Sequence, residues 1–432
     1  MILTKLTPQK RFYHQQGISA LTAIPCCLYD SSMRIGMMVD TYKPYVSGVT
    51  NHVDLHKRAL ERAGHDVYVF TFGDEDYQDD EPRVLRSPGV ALADTGFYLS
   101  LRYKTRHKKL LQTMDVVHVH HPFLSGRLAL NYCRSERIPI VFTNHSRYDL
   151  LAQAYLPLMP DEVSHSLLQA YMPDFCEAVD LVISPSESMA KILRELDVKS
   201  HIEVIPNGVD LHKFHNAQPF PRSQLGFKEN DILLIYAGRI APEKNINFLL
   251  QSFAGITQLI PNLYLLIVGG GKKQFEEELQ EFIAQLGIAN RVHSTGMIAY
   301  EDIPSYLAMC DIFVTTSVAE TFGMSTVEAM GAGLPIMGDH SPGTSDIVED
   351  GKTGFLSTED MAAFTAKLTY LCLHPGLRKE MGLAGCQASE QYDIERTTQM
   401  LLGHYTRLTQ NTRPLKRSLD ERLMSVLEEF MK

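Results

Sequence analysis

Short apolar runs alternating with stretches of helical periodicity constrain this chain more than any other feature of its sequence. Residues 34–39 and 67–72 read as buried strands; between them Val49, Val53, His56 and Leu60 recur at helical spacing until Gly64 ends the helix. Further strand-like runs follow at 116–119, 140–143, 181–184 and 203–205. Apolar runs without polar alternation belong to strands covered on both faces, which means parallel sheets with crossover helices. Pro206-Asn207-Gly208 then marks a turn, and the stretch to about Asn230 is polar and Pro-containing. A second series at 232–236, 263–268, 292–294, 312–314 and 335–337 repeats the pattern. Two successive α/β halves predict two doubly wound sheets, with ligands bound beyond the carboxyl ends of the strands.

At 432 residues the chain is long enough for two or three domains, and 44% apolar with 21% charged residues is the composition of a globular protein. No window holds the roughly 18 apolar residues of a membrane-spanning helix. Lys and Arg number 41 against 51 Asp and Glu, a net charge of −10 that argues against a protein coating nucleic acid. Seven cysteines are scattered without CxxC or zinc-ligand spacing, which reads as reduced thiols in a cytoplasmic protein. At the start, Lys5, Lys10 and Arg11 precede a weakly apolar stretch, 18–28, interrupted by Pro25. That is a poor signal peptide, and residues 1–32 are expected to be an unstructured extension with the fold opening at Met33.

Four clusters point to chemistry. Glu320 and Glu328 lie in Glu-Thr-Phe-Gly-Met-Ser-Thr-Val-Glu, after the 312–314 strand and across the start of a helix near Gly323. Helical rise plus the looped residues spaces them at roughly 8–10 Å. A retaining glycosidase pair needs about 5–5.5 Å, so the spacing suits a longer ligand. One carboxylate would take sugar hydroxyls, the other ribose hydroxyls, with phosphates on the helix dipole between them. Arg239 and Lys244, in the loop after the 232–236 strand, are placed to neutralise a diphosphate. Gly48 opens a helix after the first strand, where backbone N–H groups can approach an anion. His145 follows the 140–143 strand, the usual position for a functional side chain in such a sheet.

Other patterns imitate sites. Asp74-Glu75-Asp76 matches a metal-holding DxD but sits in a wider acidic run that ends at Glu81, as solvated loops do. Gly269-Gly270-Gly271-Lys272 lacks the spacing of a nucleotide triphosphatase loop. His118 and His120 share a strand face while His121 points away, with no further ligand at zinc spacing, so no metal is expected. Residues 99–114 carry Arg102, Lys104, Arg106, Lys108 and Lys109 without an acidic residue. With Leu99, Leu101, Leu110 and Leu111 they suggest a basic amphipathic helix that docks on anionic lipid.

GVTNHV, His145 after its strand, VIPNGVD, GRIAPEKN, VGGG and ETFGMSTVE occur in that order over roughly residues 33–356. As an ordered set they resemble the family 4 retaining glycosyltransferases of the GT-B fold. The phrases HVHHPF and FTNHSRYD look most like members that glycosylate diacylglycerol and related lipids. The resemblance implies two Rossmann-like domains about a central cleft: an acceptor domain over 33–212, a linker over 213–230 and a nucleotide-sugar domain over 231–375. Helices over 376–432 would pack back on the first domain. Gly48 would approach the donor diphosphate, and Arg239 and Lys244 would hold it as the leaving group. Glu328 would bind ribose hydroxyls and Glu320 the hexose, with Phe322 and Gly323 lining the sugar and phosphate site through backbone N–H groups. His145 would sit over the reacting centre, and the base would lie near Met297. Catalytic function would thus rest on His145, Glu320, Arg239 and Lys244, with no cofactor. The expected reaction moves glucose from UDP-glucose to a membrane lipid such as diacylglycerol, on the inner face of the plasma membrane. Transfer from GDP-mannose to phosphatidylinositol or a soluble sugar is the alternative within the fold. A UDP-sugar epimerase and a nucleotide-sugar sensor are alternatives outside the class.

Overall fold

The computed structural model describes residues 32–91, 98–148, 161–358 and 360–411. The expected extension over 1–32, apart from Ser32, and the last part of the expected 376–432 helices, residues 412–432, lie outside them.

The first half is a seven-stranded sheet built from β1 (Arg34–Met38), β2 (Asp66–Phe72), β3 (Val84–Ser87), β6 (Val116–Val119), β7 (Ile140–Thr143), β8 (Leu181–Ser184) and β9 (Ile202–Val204). A small antiparallel pair, β4 (Val90–Ala91) and β5 (Tyr98–Leu99), interrupts the series. Spatial order is β3-β2-β1-β6-β7-β8-β9, with every neighbour parallel. In the second half β10 (Ile232–Ala237), β11 (Leu263–Val268), β12 (Val292–Gly296), β13 (Ile312–Thr315), β14 (Ile336–Asp339) and β15 (Gly354–Ser357) run in the order β12-β11-β10-β13-β14-β15, again all parallel. Each sheet therefore reverses its order once, between β1 and β6 in the first and between β10 and β13 in the second. Crevices at such reversals are where doubly wound sheets bind ligands.

The central strands are buried throughout because helices cover both faces: β1, β6, β7, β13 and β14 have no exposed residue. Four strands were not evident from the sequence. β3 is a short edge strand whose Arg86 is held by Asp79, β4 and β5 have two residues each, and β15 is short and begins at Gly354.

The halves are joined twice. The first crossing follows β9, and residues 213–230, expected as a linker, pack against the second sheet: Phe214 and Phe227 are buried in its core with Leu233 and Phe313. At the second crossing the chain returns over Val209, whose N–H donates to the Tyr392 carbonyl while Ile394 N–H donates to the Val209 carbonyl. Only glycine fits at 208, since a Cβ there would lie 2.5 Å from the Ile394 side chain and nearer still to Thr397. The crossing comes later than expected. The helix Pro375–Ser389 stays with the second half against the helix Met324–Gly331, and among the described residues beyond it only Ile394–Asn411 packs on the first. Its Leu401, Leu402 and Tyr405 join Ile35, Met37 and Val69 in one core. Burying a large apolar side chain contributes about 1.5–3 kcal/mol, so this helix completes the first half energetically.

Candidate active site

Both order reversals open toward one cleft. On the first-half side, the loop after β1 leads into the helix Gly48–Arg62. Ser47 caps that helix reciprocally with Thr50: the Ser47 hydroxyl accepts from Thr50 N–H at 3.2 Å, and Ser47 N–H donates to Thr50 Oγ1 at 2.7 Å. No acidic residue occupies the first turn, and a Cβ at Gly48 would meet nothing within 4 Å. The chain's own packing therefore does not require glycine at 48; the position is open to an outside group. A buried network fixes the loop from behind. Tyr42 Oη donates to Glu81 at 2.7 Å, Lys43 lies 2.9 Å from Asp54, and Lys57, only 1% exposed, lies 3.0 Å from Glu61 and 3.3 Å from Glu81.

Below the loop is a row of imidazoles. His52 and His56 stand one turn apart on the helix, His118 is on β6, His120 just beyond it, and His145 follows β7. His120 Nδ1 and His145 Nε2 are 3.0 Å apart, and the His52 ring centroid is 4.5 Å from that of His145. His118 bonds Tyr405 Oη at 2.6 Å and Thr143 Oγ1 at 2.7 Å, and His56 bonds Thr398 Oγ1 at 3.0 Å. Burial keeps all five neutral, lowering His56 and His118 to about 3. The sequence shows no further ligand at zinc spacing from His118, His120 and His121; in space His120 meets His52 and His145, which come from other elements.

The second-half side carries the charge. Arg239, half exposed after β10, is 2.5 Å from Glu243 Oε1, and its Nη1 lies 3.4 Å from Tyr45 Oη of the opposite half. Lys244 Nζ is 2.7 Å from Glu320 Oε2, and Glu320 Oε1 accepts from Gly323 N–H at 3.1 Å. Gly323 caps the helix Met324–Gly331 with φ 86°, a left-handed conformation that favours glycine. Glu328, buried on the first turns of that helix, accepts from Tyr300 Oη at 2.7 Å.

The two carboxyls are pushed apart by their surroundings. Burial raises Glu320, but the Lys244 charge and hydrogen bond and the backbone N–H groups of Gly323 and Thr321 outweigh it, leaving the group below the usual carboxylate range. Burial lifts Glu328 to about 7, and the Tyr300 hydrogen bond only partly opposes it.

His145 meets this wall directly, its carbonyl accepting from Thr321 Oγ1 at 3.0 Å. Thus His145, Arg239, Lys244, Glu320 and Gly323 lie where the two halves meet, Gly48 opens the first-half helix that carries His52, and the buried Phe322 packs edge-on against Tyr392. Met297, 67% exposed, stands beside Gly270 at the end of β12. Tyr45, Tyr300 and Thr321 had no signal in the sequence beyond their neighbours' motifs.

The imitations resolve into structure. Glu75 pairs with Lys104 at 2.5 Å, Asp79 with Arg86 at 2.6 Å, and Asp74 accepts from Asp76 N–H at 3.0 Å. In the glycine loop, Gly269 abuts the Gly238 carbonyl so closely that no Cβ fits, and Gly271 N–H already donates to Glu276 at 2.8 Å. The basic segment also differs from expectation. Its helix spans only Thr105–Leu111, and Leu110 and Leu111 face the core. Lys108 lies over the Tyr132 ring. Arg102, Arg106 and Lys109 face outward, near the exposed Leu99 and Leu101.

Comparison with known proteins agrees with this geometry. The description "Glycosyltransferase Family 4" matches residues 46–213, and "Glycosyl transferases group 1" matches 218–387. The chain is 30% identical over 343 residues to an alpha-monoglucosyldiacylglycerol synthase of Streptococcus pneumoniae, covering 75% of each chain. A protein of the same name from Acholeplasma laidlawii is 29% identical, over 74% of this chain and 84% of the relative. The crystal structure of Anabaena Alr3699/HepE in complex with UDP and glucose superposes with a TM-score of 0.70 at 21% identity, covering 87% of this chain and 100% of that one. The two doubly wound sheets are the GT-B architecture, and the matching families and relatives make the chain a glycosyltransferase. The chain belongs to the family 4 glycosyltransferases.

Proposed function

We propose that this enzyme transfers glucose from UDP-glucose to diacylglycerol or a closely related membrane lipid, with retention of anomeric configuration. The observation that carries the reading is the grouping of Lys244, Glu320 and the N-terminus of the helix Met324–Gly331 opposite His145. That arrangement offers cations and backbone N–H groups to a diphosphate, with carboxylates on either side for hydroxyls. In this reading Arg239 and Lys244 stabilise the departing diphosphate, Glu320 holds the hexose and Glu328 the ribose. Gly48 admits the phosphates, the backbone of Phe322 and Gly323 lines the sugar, and Met297 flanks the base. His145 holds sugar and acceptor in register. The leaving phosphate itself takes the acceptor proton, so the protein contributes orientation and charge stabilisation.

The acceptor assignment draws on the relatives named for alpha-monoglucosyldiacylglycerol synthesis and the donor on the fold neighbour bound to UDP and glucose. Among the described residues no helix is long and apolar enough to cross a membrane. Access to lipid would then come from the surface at Arg102, Arg106 and Lys109, with Lys104 and Lys108 contributing less because Glu75 and Tyr132 engage them. The test offers UDP-glucose and GDP-mannose in parallel to purified protein with EDTA and diacylglycerol in anionic liposomes. An α-glucosyl lipid from UDP-glucose is expected. A mannolipid would overturn the donor, sugar isomerisation without acceptor would indicate an epimerase, and binding without turnover would indicate a sensor.

A further inference from the structure

We propose that His52, His120 and His145 form a binding site for a first-row transition-metal cation of the zinc type, and that occupancy shuts the enzyme. The three residues come from the helix Gly48–Arg62, the segment after β6 and the segment after β7. Each offers a ring nitrogen, and these atoms lie within 4.8 Å of one another. A His₃ zinc centre with Zn–N distances of about 2.0–2.1 Å needs nitrogens roughly 3.3 Å apart. The His120–His145 pair, at 3.0 Å, is near that spacing already.

The neighbouring imidazoles set these three apart. His118 is held at both nitrogens by Tyr405 and Thr143, and His56 at one by Thr398. Both ring nitrogens of His52 are buried with no hydrogen-bond partner, the Asn207 amide lying beside the ring, and an ion held between His120 Nδ1 and His145 Nε2 would take up one of them; His56 and His120 each leave only Nε2 unpartnered, and His56 lies outside the group of converging nitrogens. Buried nitrogens without partners are costly, and a ligand that binds them removes that cost. His145 is 7% exposed, and a three-histidine centre keeps its fourth position for water or an anion.

The inhibitory part of the proposal rests on the role given to His145 above, because a metal-bound ring is withdrawn from the sugar. The metal-binding part does not, and the experiment separates them. Metal-stripped full-length protein is titrated with Co²⁺, read by its visible d–d absorption, and the cobalt is then displaced by Zn²⁺. Saturable one-to-one binding with a tetrahedral spectrum is expected, weakened at least about tenfold in His52→Gln and in His120→Gln. The chain holds 17 histidines, so binding that persists unchanged in both variants would overturn the site, as would no stoichiometric binding by the parent protein. X-ray absorption on the zinc-loaded parent protein is expected to count three imidazoles, independently of how the variants fold; a different count overturns the ligand set. In the transfer assay, stoichiometric zinc is expected to lower the rate at least about tenfold, reversibly with EDTA. Full activity of the loaded protein overturns the inhibition, whereas a protein inactive with every donor and acceptor would sink the proposed function and leave the cobalt result standing.

Discussion

The Lys244 ammonium lies 2.7 Å from Glu320 Oε2, so the cation proposed for the donor diphosphate and the carboxylate proposed for its sugar neutralise each other in the free enzyme. Each is about four-fifths buried, and the Lys244 charge helps to keep Glu320 ionised. Donor binding must share this pair between two ends of one ligand.

Lys244→Ala and Arg239→Ala are both expected to lower kcat by 10²-fold or more through loss of leaving-group stabilisation. Their stabilities should differ. Removing Lys244 strands a buried carboxylate and should cost roughly 2 kcal/mol, whereas Arg239 is half exposed and its loss should leave the melting temperature nearly unchanged. Thermal melts beside transfer rates would show the split; two equally stable, active variants would refute the clamp.

Glu328 makes stability fall with rising pH. Its proton leaves near 4.5 in the unfolded chain and near 7 in the folded one, so between those values the folded state holds one proton more. Stability contributed by that proton is present at pH 4.5 and lost as pH passes 7, to a limit of about 3 kcal/mol. Glu328→Gln should therefore melt higher than the parent at pH 8 and about equally at pH 5. UDP affinity should rise from pH 6 to 8 in the parent and be weaker and flat in the variant, as titration calorimetry can measure.

Tyr300→Phe removes the hydroxyl that holds the Glu328 carboxyl at 2.7 Å. Donor KM should rise roughly fivefold, about 1 kcal/mol, with kcat little changed, and the pH midpoint of UDP binding should move up. An altered kcat at unchanged KM would place Tyr300 elsewhere in the reaction.

Charge reversal at Arg102, Arg106 and Lys109 should weaken binding to anionic liposomes by about 10²-fold, since each basic residue near such a surface contributes about 1 kcal/mol. Reversing Lys104 and Lys108 should do less. Sedimentation with vesicles at two salt concentrations would measure both, and an unaffected triple variant would remove this face from membrane contact.

The strand pattern was legible because parallel strands covered on both faces need apolar residues at nearly every position, as in β1 and β13. β3 escaped notice because an edge strand tolerates Arg86, which is neutralised by Asp79 from a loop. Glu320, Lys244 and Gly323 were legible because strand, loop and helix start follow one another within short segments. Tyr45 and Tyr300 were not, since each reaches its partner only through tertiary packing, at Arg239 and Glu328. The histidine row was hidden for the same reason: His52, His120 and His145 are far apart in the chain and become neighbours only through sheet order.

The return of Ile394–Asn411 to the first sheet also sets a timetable for synthesis. Strand β9 ends at Val204, yet the side chains that cover Ile35 and Met37 arrive almost two hundred residues later. At about 5–20 residues per second, a ribosome leaves that apolar face uncovered for roughly ten to forty seconds. The nascent first half is therefore a natural client for chaperones. A fragment ending before residue 394 should aggregate rather than fold, although its sheet is complete.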